Sequence, residues 1–270
     1  FGADAVVLNA SLSKSGITSE EREGLLTQLG QVVEALKANF GVQVTANGEQ
    51  LILVDESGMS IRGEMLTALM VDMMFTANPR GTVVVPVNAS SAVEQIARRH
   101  DGKVIRTKAN PTALMEACMD NPNVILGGSG DTGFIVPELH PGFDAMFCIA
   151  KLVEMLTIQE RSLTTLRTEL PKVIHKNYTI RCPWTAKGAL MRYLVETHPA
   201  QNLELIDGVK ICQPYDDNWI LVLPDASEPL VHLYINSNDK EWAEKALAEY
   251  RTKVQDFIEK EEEQVEVEVS

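Results

Sequence analysis

Residues 41–58 read GVQVTANGEQLILVDESG, and they predict the local structure on which the interpretation of the whole chain depends. Val42 and Val44 alternate with polar residues, and residues 51–54 form an apolar run of the length of a buried strand. Residues 55–58 have the composition of a tight turn. The stretch therefore predicts two short strands joined by a polar loop, and such loops often carry functional residues.

This strand and turn resemble the junction before the third domain of the α-D-phosphohexomutases, the phosphoglucomutase/phosphomannomutase family. In that family a metal loop, D-x-D-x-D-R, precedes a strand of the form L-I-L-V-D-E-x-G. Here the metal-ligand positions fall on Thr45, Asn47 and Glu49, and the arginine position falls on Gln50. Because Mg²⁺ prefers several anionic oxygens, this set makes a poor cage. The resemblance implies a scaffold without its metal site, and Mg²⁺ as a cofactor only if mutase chemistry is retained.

The composition narrows the classes of protein and partner. The chain has 270 residues, of which 45% are hydrophobic and 23% charged, as in an ordinary soluble globular protein. The net charge of −14 argues against nucleic acid or an anionic membrane as the main partner. No apolar run approaches the roughly 20 residues of a membrane helix. The four cysteines form no C-x-x-C pair, so we expect buried free thiols in a cytoplasmic protein.

The first unit is predicted over residues 1–57. It begins with a buried strand over residues 5–8, followed by a helix that a capping box of Thr18 and Glu21 opens. The two strands and the polar loop described above complete it. This order resembles the closing half of the second phosphohexomutase domain. Since the chain starts at Phe1 without a methionine, we expect it to be a piece of a longer polypeptide.

The second unit, residues 58–168, alternates predicted helices and strands. A second capping box of Ser91 and Glu94 opens one helix, and Pro111 opens another at its favoured first position. This alternation predicts an α/β fold with a parallel sheet and right-handed crossovers. The unit resembles the third domain of the family. We expect ligands at the carboxyl ends of its strands.

A glycine-rich segment, GGSGDTG over residues 127–133, follows the last predicted strand of this unit. Its amides could cradle a phosphate, or its glycines could serve only a flexible loop that needs positive φ angles. By resemblance it occupies the place of the family's sugar-recognition loop, G-E-x-S-G-H, whose glutamate falls on Gly130. Asp131 could supply the missing carboxylate. The candidate sugar-binding residues are Gly128, Ser129, Gly130, Asp131, Thr132 and Gly133.

Residues 172–260 predict a smaller α+β unit that resembles the fourth domain of the family. The family's phosphate loop, R-P-S-G-T-E-P, corresponds here to LPDASEP over residues 223–229, with Asp225, Ala226, Ser227 and Glu228 as the candidate phosphate-binding residues. The negative charge of Asp225 would repel phosphate, and the side chain of Ala226 would hinder a positive-φ amide nest. Residues 261–270 form an acidic tail, predicted to be frayed or to add an edge strand to a partner.

Basic residues elsewhere offer a second possible phosphate contact. Arg106 and Lys108 lie where the family has a cleft segment of the form T-x-V-G. They could meet a phosphate, or they could simply end a solvated strand.

These departures leave more than one functional hypothesis. The first is a degenerate phosphohexomutase-like module, inactive as a mutase, with a structural, assembly or regulatory role. It could be the C-terminal extension of a mannose-1-phosphate guanylyltransferase-like protein, a nucleotidyltransferase fusion in which upstream domains of the same polypeptide are partners. The alternative is a divergent phosphoglucomutase or phosphomannomutase that interconverts hexose 1- and 6-phosphates. A third is a sensor that binds a hexose phosphate without turnover. A homo-oligomer is compatible with each.

Overall fold

The computed structural model describes residues 2–9, 19–214 and 216–269. In chain order the helices are α1 (Ser19–Leu36), α2 (Gly63–Ala77), α3 (Ala92–Arg99), α4 (Pro111–Asp120), α5 (Ala145–Gln159), α6 (Leu163–Glu169), α7 (Trp184–Glu196) and α8 (Lys240–Val269). The strands are β1 (Phe40–Val44), β2 (Leu51–Asp55), β3 (Ser60–Ile61), β4 (Thr82–Pro86), β5 (Lys103–Thr107), β6 (Val124–Ser129), β7 (Gly133–Ile135), β8 (Ile174–Arg181), β9 (Leu203–Glu204), β10 (Val209–Cys212), β11 (Trp219–Pro224) and β12 (Leu230–Ser237). The fold is mixed α/β, as the sequence predicts.

The first sheet has the order β1-β2-β3, and its strands pair antiparallel. The two strands predicted within residues 41–58 are confirmed as the hairpin β1–β2. The predicted strand over residues 5–8 is wrong, because Val6 and Val7 are exposed and residues 2–9 make no ladder that could bury them. Thr18 of the first predicted capping box lies outside the described residues.

The second sheet has the order β5-β4-β6-β7. β4 pairs parallel with both β5 and β6, and β7 pairs antiparallel with β6. The parallel strands are confirmed, and β7 makes the sheet mixed. The helix α2 packs on this sheet with nine of its 15 residues buried, because it also contacts α3, α5 and α6. The largest apolar cluster forms here, around Phe75 and Leu126.

The third sheet is antiparallel throughout, with the order β8-β12-β11-β10-β9. α7 and α8 pack on it over a second apolar cluster that includes Leu190, Leu233 and Val254. The acidic tail forms no strand within the described residues: α8 continues to Val269, because its glutamates favour a helix. The division of the chain at residues 57, 168 and 260 stays a prediction.

The second and third sheets meet at a seam that is both apolar and hydrogen-bonded. Its apolar part is formed by Val87, Trp219, Leu221 and Leu223. Its polar part centres on Asn236, whose Oδ1 accepts from the Ser91 amide at 3.0 Å and whose Nδ2 donates to the Ser91 hydroxyl at 2.7 Å. Both side chains are buried, so these bonds are shielded from competing water.

Two further sequence expectations concern cysteines and membranes. Cys118, Cys148 and Cys182 are buried free thiols, as predicted, and Cys212 is half-buried and also free. Among the described residues, no helix combines the length and the apolar character that crossing a membrane requires.

Candidate functional site

The β1–β2 hairpin carries the three residues that align with a metal loop. The Thr45 hydroxyl donates to Asn47 Oδ1 at 2.6 Å, and Asn47 Nδ2 donates to Glu49 Oε2 at 2.6 Å. The Gln50 amide in turn donates to the Thr45 hydroxyl oxygen at 3.0 Å. The polar atoms of this loop are therefore bonded to one another at the exposed end of the hairpin.

This donor set does not fit Mg²⁺. Glu49 is its only carboxylate, and it already accepts from Asn47. Magnesium requires near-octahedral oxygen ligands and is usually held by one or two free carboxylates together with water or phosphate. Within the described ranges, no group of three or more His, Cys, Asp or Glu side chains is placed to hold a metal ion.

The glycine-rich segment is a tight hairpin between β6 and β7 rather than an open loop. A Cβ at Gly130 would overlap the carbonyl oxygen of Gly63, and one at Gly133 would overlap that of Glu49. These glycines therefore allow the hairpin to lie against the start of α2 and against the β1–β2 loop. Gln50 Nε2 completes this contact by donating to the Asp131 carbonyl at 2.9 Å. The structure thus brings the candidate metal and sugar loops together.

Side chains in this hairpin differ in their freedom to meet a ligand. The hydroxyls of Ser129 and Thr132 lie 3.1 Å apart and bond to each other. The Asp131 carboxylate has no hydrogen-bond partner in the described part of the chain, and burial raises its pKa. Asp131 therefore has the free acceptor in this hairpin, at the position one residue from the family's glutamate. Its sugar-binding role stays a prediction.

Glu64, in the first turn of α2, is a candidate that the sequence did not reveal. Its Oε2 accepts from the Ser90 amide at 2.7 Å. Burial raises the pKa of its carboxyl to about 7, and the neighbouring Asp131 adds to the effect. A carboxyl so perturbed at the carboxyl end of a sheet is a frequent feature of functional sites. An acidic residue in the first turn of a helix is common, so no local pattern marks this one.

Tyr234, on β12 of the third sheet, lies within electrostatic reach of Glu64 and Asp131. Burial raises the pKa of its hydroxyl, and the carboxylates of Asp131, Glu64 and Asp225 raise it further. One phenol therefore feels the electrostatic field of all three acidic side chains.

The candidate phosphate loop closes on its own carboxylate. Asp225 Oδ1 accepts from the amides of Ser227 and Glu228 at 2.7 and 2.8 Å, and Oδ2 lies 3.0 Å from His232 Nε2. The bond from His232, followed by those two amide bonds, lowers the pKa of Asp225 to about 2. Lys187 donates to the carbonyls of Asp225 and Glu228 at 2.6 and 2.5 Å. The amides of Ser227 and Glu228 and the ammonium group of Lys187 are thus hydrogen-bonded within the chain itself.

Arg106 neither ends a solvated strand nor is free to meet a phosphate. Its guanidinium, almost fully buried, forms a two-pronged pair with Glu94 at 2.8 and 2.9 Å. It also donates to the carbonyls of Val87 and Ala89 at 3.0 and 2.8 Å. The predicted capping box of Ser91 and Glu94 is therefore wrong. Glu94 pairs with the charged Arg106, and Ser91 makes no side-chain cap bond because its hydroxyl and amide are bonded to Asn236.

Comparison with known proteins agrees with this architecture. Residues 62–174 match the family model of the phosphoglucomutase/phosphomannomutase alpha/beta/alpha domain III. A phosphoglucomutase/phosphomannomutase of Thermococcus kodakarensis is 29% identical over 230 residues, which cover 84% of this chain and 50% of the relative. A Methanopyrus kandleri protein named "Probable phosphoglucosamine mutase" is 27% identical over 255 residues, covering 93% and 56%. The chain thus spans about half the length of the curated relatives it matches.

Solved structures share the fold at lower identity. A phosphoglucomutase/phosphomannomutase family protein of Burkholderia thailandensis superimposes with a TM-score of 0.73 at 16% identity, over 87% of this chain and 50% of that one. The N-acetylphosphoglucosamine mutase of Aspergillus fumigatus, solved with GlcNAc-6P and magnesium, gives a TM-score of 0.59 at 11% identity, over 80% and 48%. Residues 62–174 thus match domain III of the phosphoglucomutase/phosphomannomutase family, and the chain as a whole is similar in sequence and in fold to α-D-phosphohexomutases.

Proposed function

We propose that this part of the protein is a phosphohexomutase scaffold with a structural or regulatory role and that it does not carry out metal-assisted phosphoryl transfer. The observation that carries the proposal is the closed loop of residues 225–228. Asp225 accepts from the two amides that could otherwise face an anion, and it places a negative charge there. Phosphate recognition needs free donors and positive charge. In this loop the amides of Ser227 and Glu228 are occupied, and Lys187 donates to the loop's own carbonyls.

The hairpin of residues 45–50 supports the same proposal independently. Phosphoryl transfer in metal-dependent enzymes relies on a cation to neutralise charge that develops in the transition state. The side chains at the aligned positions bond to one another and include a single carboxylate. In two of the loops that such chemistry uses, polar groups are thus hydrogen-bonded to other groups of the same chain.

Calorimetric titration with glucose 6-phosphate tests the proposal on the 270-residue chain. We expect no saturable heat from the unsubstituted chain. The substitution Asp225→Ser removes the charge and returns the family's residue, so we expect it to create measurable binding. Asp120→Ser, an exposed change at the end of α4, is the matched control and should behave like the unsubstituted chain. Saturable binding by the unsubstituted chain that Asp225→Ser leaves unchanged would overturn the proposal.

A second candidate is an active mutase that interconverts hexose 1- and 6-phosphates. It is favoured by the names of the relatives, "Phosphoglucomutase/phosphomannomutase" and "Probable phosphoglucosamine mutase", and by the free carboxylate of Asp131 in the sugar hairpin. The assay is conversion of hexose 1-phosphates by the native protein with Mg²⁺. Turnover that requires Asp131 would establish this candidate in place of the first.

The setting of the module is also a proposal. A position at the C-terminus of a mannose-1-phosphate guanylyltransferase-like protein, with that protein's upstream domains as partners, would suit a structural role. The gene sequence tests this arrangement directly. Homo-oligomer formation and a cytoplasmic location stay predictions, which light scattering and cell fractionation test.

A further inference from the structure

Three polar side chains of the third sheet form a hydrogen-bonded row. Thr179 on β8 and His232 on β12 are cross-strand partners, and Thr179 Oγ1 lies 3.3 Å from His232 Nδ1. His232 Nε2 in turn lies 3.0 Å from Oδ2 of Asp225, which directly follows β11. A hydroxyl, an imidazole and a carboxylate bonded in this order are the components of a nucleophilic triad.

The carboxylate decides which nitrogen of the imidazole carries the proton. The bond from His232, followed by two loop amides, lowers the pKa of Asp225 to about 2, so this carboxylate is charged at neutral pH and can only accept. The ring therefore donates through Nε2–H, and in the neutral ring Nδ1 is a lone pair that accepts from the Thr179 hydroxyl. In this arrangement an imidazole can act as a general base toward a hydroxyl.

The pairing of β8 with β12 brings the hydroxyl and the imidazole together. The Cys182 amide donates to the Pro229 carbonyl at 2.8 Å, so these two residues form a hydrogen-bonded pair of the ladder. Hydrogen-bonded and non-hydrogen-bonded pairs alternate along antiparallel strands. Thr179 and His232, three positions along, are therefore a non-hydrogen-bonded pair, in which the side chains lie closest.

Two hydrogen-bond donors near the Thr179 hydroxyl are not used by the fold. The same register directs the Thr179 amide away from β12, and β8 is the edge of its sheet, so no strand among the described residues receives this amide. Arg181 lies two residues further on the same face of β8 and has no ion-pair partner in the described part of the chain. Donors of these two kinds stabilise the oxyanion that forms in acyl transfer.

The row is open at the hydroxyl and sheltered behind it. Thr179 is exposed, whereas the side chains of His232 and Asp225 are only 23% and 26% exposed. A substrate can thus reach the hydroxyl oxygen, while water competes less for the bond between imidazole and carboxylate.

We propose that Thr179 is the nucleophile of an acyl-transfer site for small carboxylic esters, with His232 as its general base and Asp225 as the residue that positions the imidazole. Thr179 Oγ1 attacks the ester carbonyl carbon and passes its proton to His232 Nδ1. The leaving alcohol takes that proton as the ester C–O bond breaks, which leaves the acyl group on Thr179. A water molecule, deprotonated by the same nitrogen, then releases the acyl group as a carboxylic acid, and Thr179 regains its proton.

The chemistry of the site favours a carboxylic ester over a phosphate ester. The reacting carbon of a carboxylic ester belongs to an uncharged group, whereas the charge of Asp225 repels a phosphate dianion. This activity goes beyond the structural or regulatory role proposed above.

Hydrolysis of para-nitrophenyl acetate by the 270-residue chain tests the proposal. We expect release of para-nitrophenol above the rate in buffer, and an acetyl group on Thr179 that peptide mass spectrometry locates after a rapid acid quench. Release no faster than in buffer would overturn the proposal. Acetyl groups found only on other residues would overturn it as well.

Substitutions of the hydroxyl separate this reaction from acetylation of other surface groups. Thr179→Val keeps the shape of the side chain and removes the nucleophile, so we expect the rate above buffer to fall by at least about a hundredfold. Thr179→Ser keeps a hydroxyl and should retain the activity. Thr252→Val, an exposed change on α8, is the matched control and should leave the rate unchanged. Equal rates in Thr179→Val and the unsubstituted chain would contradict the assignment.

Substitution of the imidazole tests the general base. His232→Gln removes the acceptor of the hydroxyl proton, so we expect acetylation of Thr179 to slow by at least about a hundredfold. An unchanged rate of acetylation would contradict the role of His232. Should either variant lack a folded melting transition, the position of the acetyl group in the unsubstituted chain decides.

This test and the test of the proposed function fail independently. Thr179→Val leaves the bonds from Asp225 to the amides of Ser227 and Glu228 in place, so its titration with glucose 6-phosphate should match that of the unsubstituted chain. An absence of ester hydrolysis would leave the closed loop as it is. Phosphate binding by the unsubstituted chain would not supply an acetyl group on Thr179.

Discussion

Glu64 shows at the scale of one residue how burial couples a side chain to pH. Its pKa of about 7 exceeds the ordinary 4.5, so the folded chain retains a proton that the unfolded chain releases at lower pH. The resulting stabilisation is fully present below pH 4.5 and is lost as the pH rises to about 7.

This linkage is measurable against Glu64→Gln, which cannot titrate. We expect the free energy of unfolding of the unsubstituted chain, relative to that variant, to fall by on the order of 3 kcal/mol between pH 4.5 and 7. Urea denaturation followed by circular dichroism at several pH values gives this difference. A difference that stays constant over the range would show that Glu64 titrates normally.

The sequence predicts the hydrogen bonds of some single residues but not those of others. Asn110 and Pro111 begin α4 with a side-chain cap bond to the Ala113 amide, as proline at the first helical position predicts. The pairing of Arg106 with Glu94, and the closure of Asp225 on its own loop, depend on partners that only the folded chain defines. Short-range patterns predict local bonds, whereas burial and competing charged partners decide the others.

At the scale of elements, the β6–β7 hairpin depends on close backbone approach. The amide of Gly130 donates to the Thr67 hydroxyl at 2.9 Å, and a Cβ at Gly130 would overlap the Gly63 carbonyl oxygen. Gly188, in the middle of α7, has open space where a Cβ would lie. The same substitution should therefore have opposite effects at the two glycines.

We expect Gly130→Ala to lower the free energy of unfolding by about 1–3 kcal/mol, because backbone must move to admit the methyl group. Gly188→Ala should raise it by about 0.5–1 kcal/mol, since alanine favours a helix over glycine. Thermal melts of the two variants provide the comparison. Equal shifts of the same sign would mean that the hairpin does not press on α2.

Most elements were predictable because their signals are local. The alternation of strands and helices over residues 58–168, and the hairpin within residues 41–58, follow from apolar periodicity and turn residues. The sequence of the glycine-rich segment predicts a loop, although its ends belong to β6 and β7, because glycine is typical of flexible loops and of close packing alike. The pairing of β6 with β7 distinguishes a hairpin from a flexible loop, and strand pairing cannot be predicted from local sequence.

At the scale of the whole molecule, the seam between the second and third sheets joins two apolar clusters into one structure. Asn236 bonds to both the amide and the hydroxyl of Ser91, and Trp219 packs beside Val87. Buried bonds of this kind fix the relative position of the two sheets. The sequence indicated the sheets but not the seam, since its partners lie 145 positions apart.

The substitution Asn236→Ala tests the seam. It leaves the Ser91 amide and the Asp217 carbonyl without their partner, so we expect a loss of about 1–3 kcal/mol in the free energy of unfolding. Tryptophan fluorescence and far-ultraviolet circular dichroism should give coincident unfolding curves for the unsubstituted chain. Curves that already differ before substitution would show that the two sheets unfold separately.

The candidate phosphate loop is occupied by its own aspartate, and the amide resonances of Ser227 and Glu228 report on that closure. Because the pKa of Asp225 is lowered to about 2, its carboxylate stays charged and bonded at neutral pH and releases these amides only in strong acid. We predict that adding glucose 6-phosphate and Mg²⁺ at neutral pH leaves both resonances in place. A saturable shift of these two amides under those conditions would contradict the account.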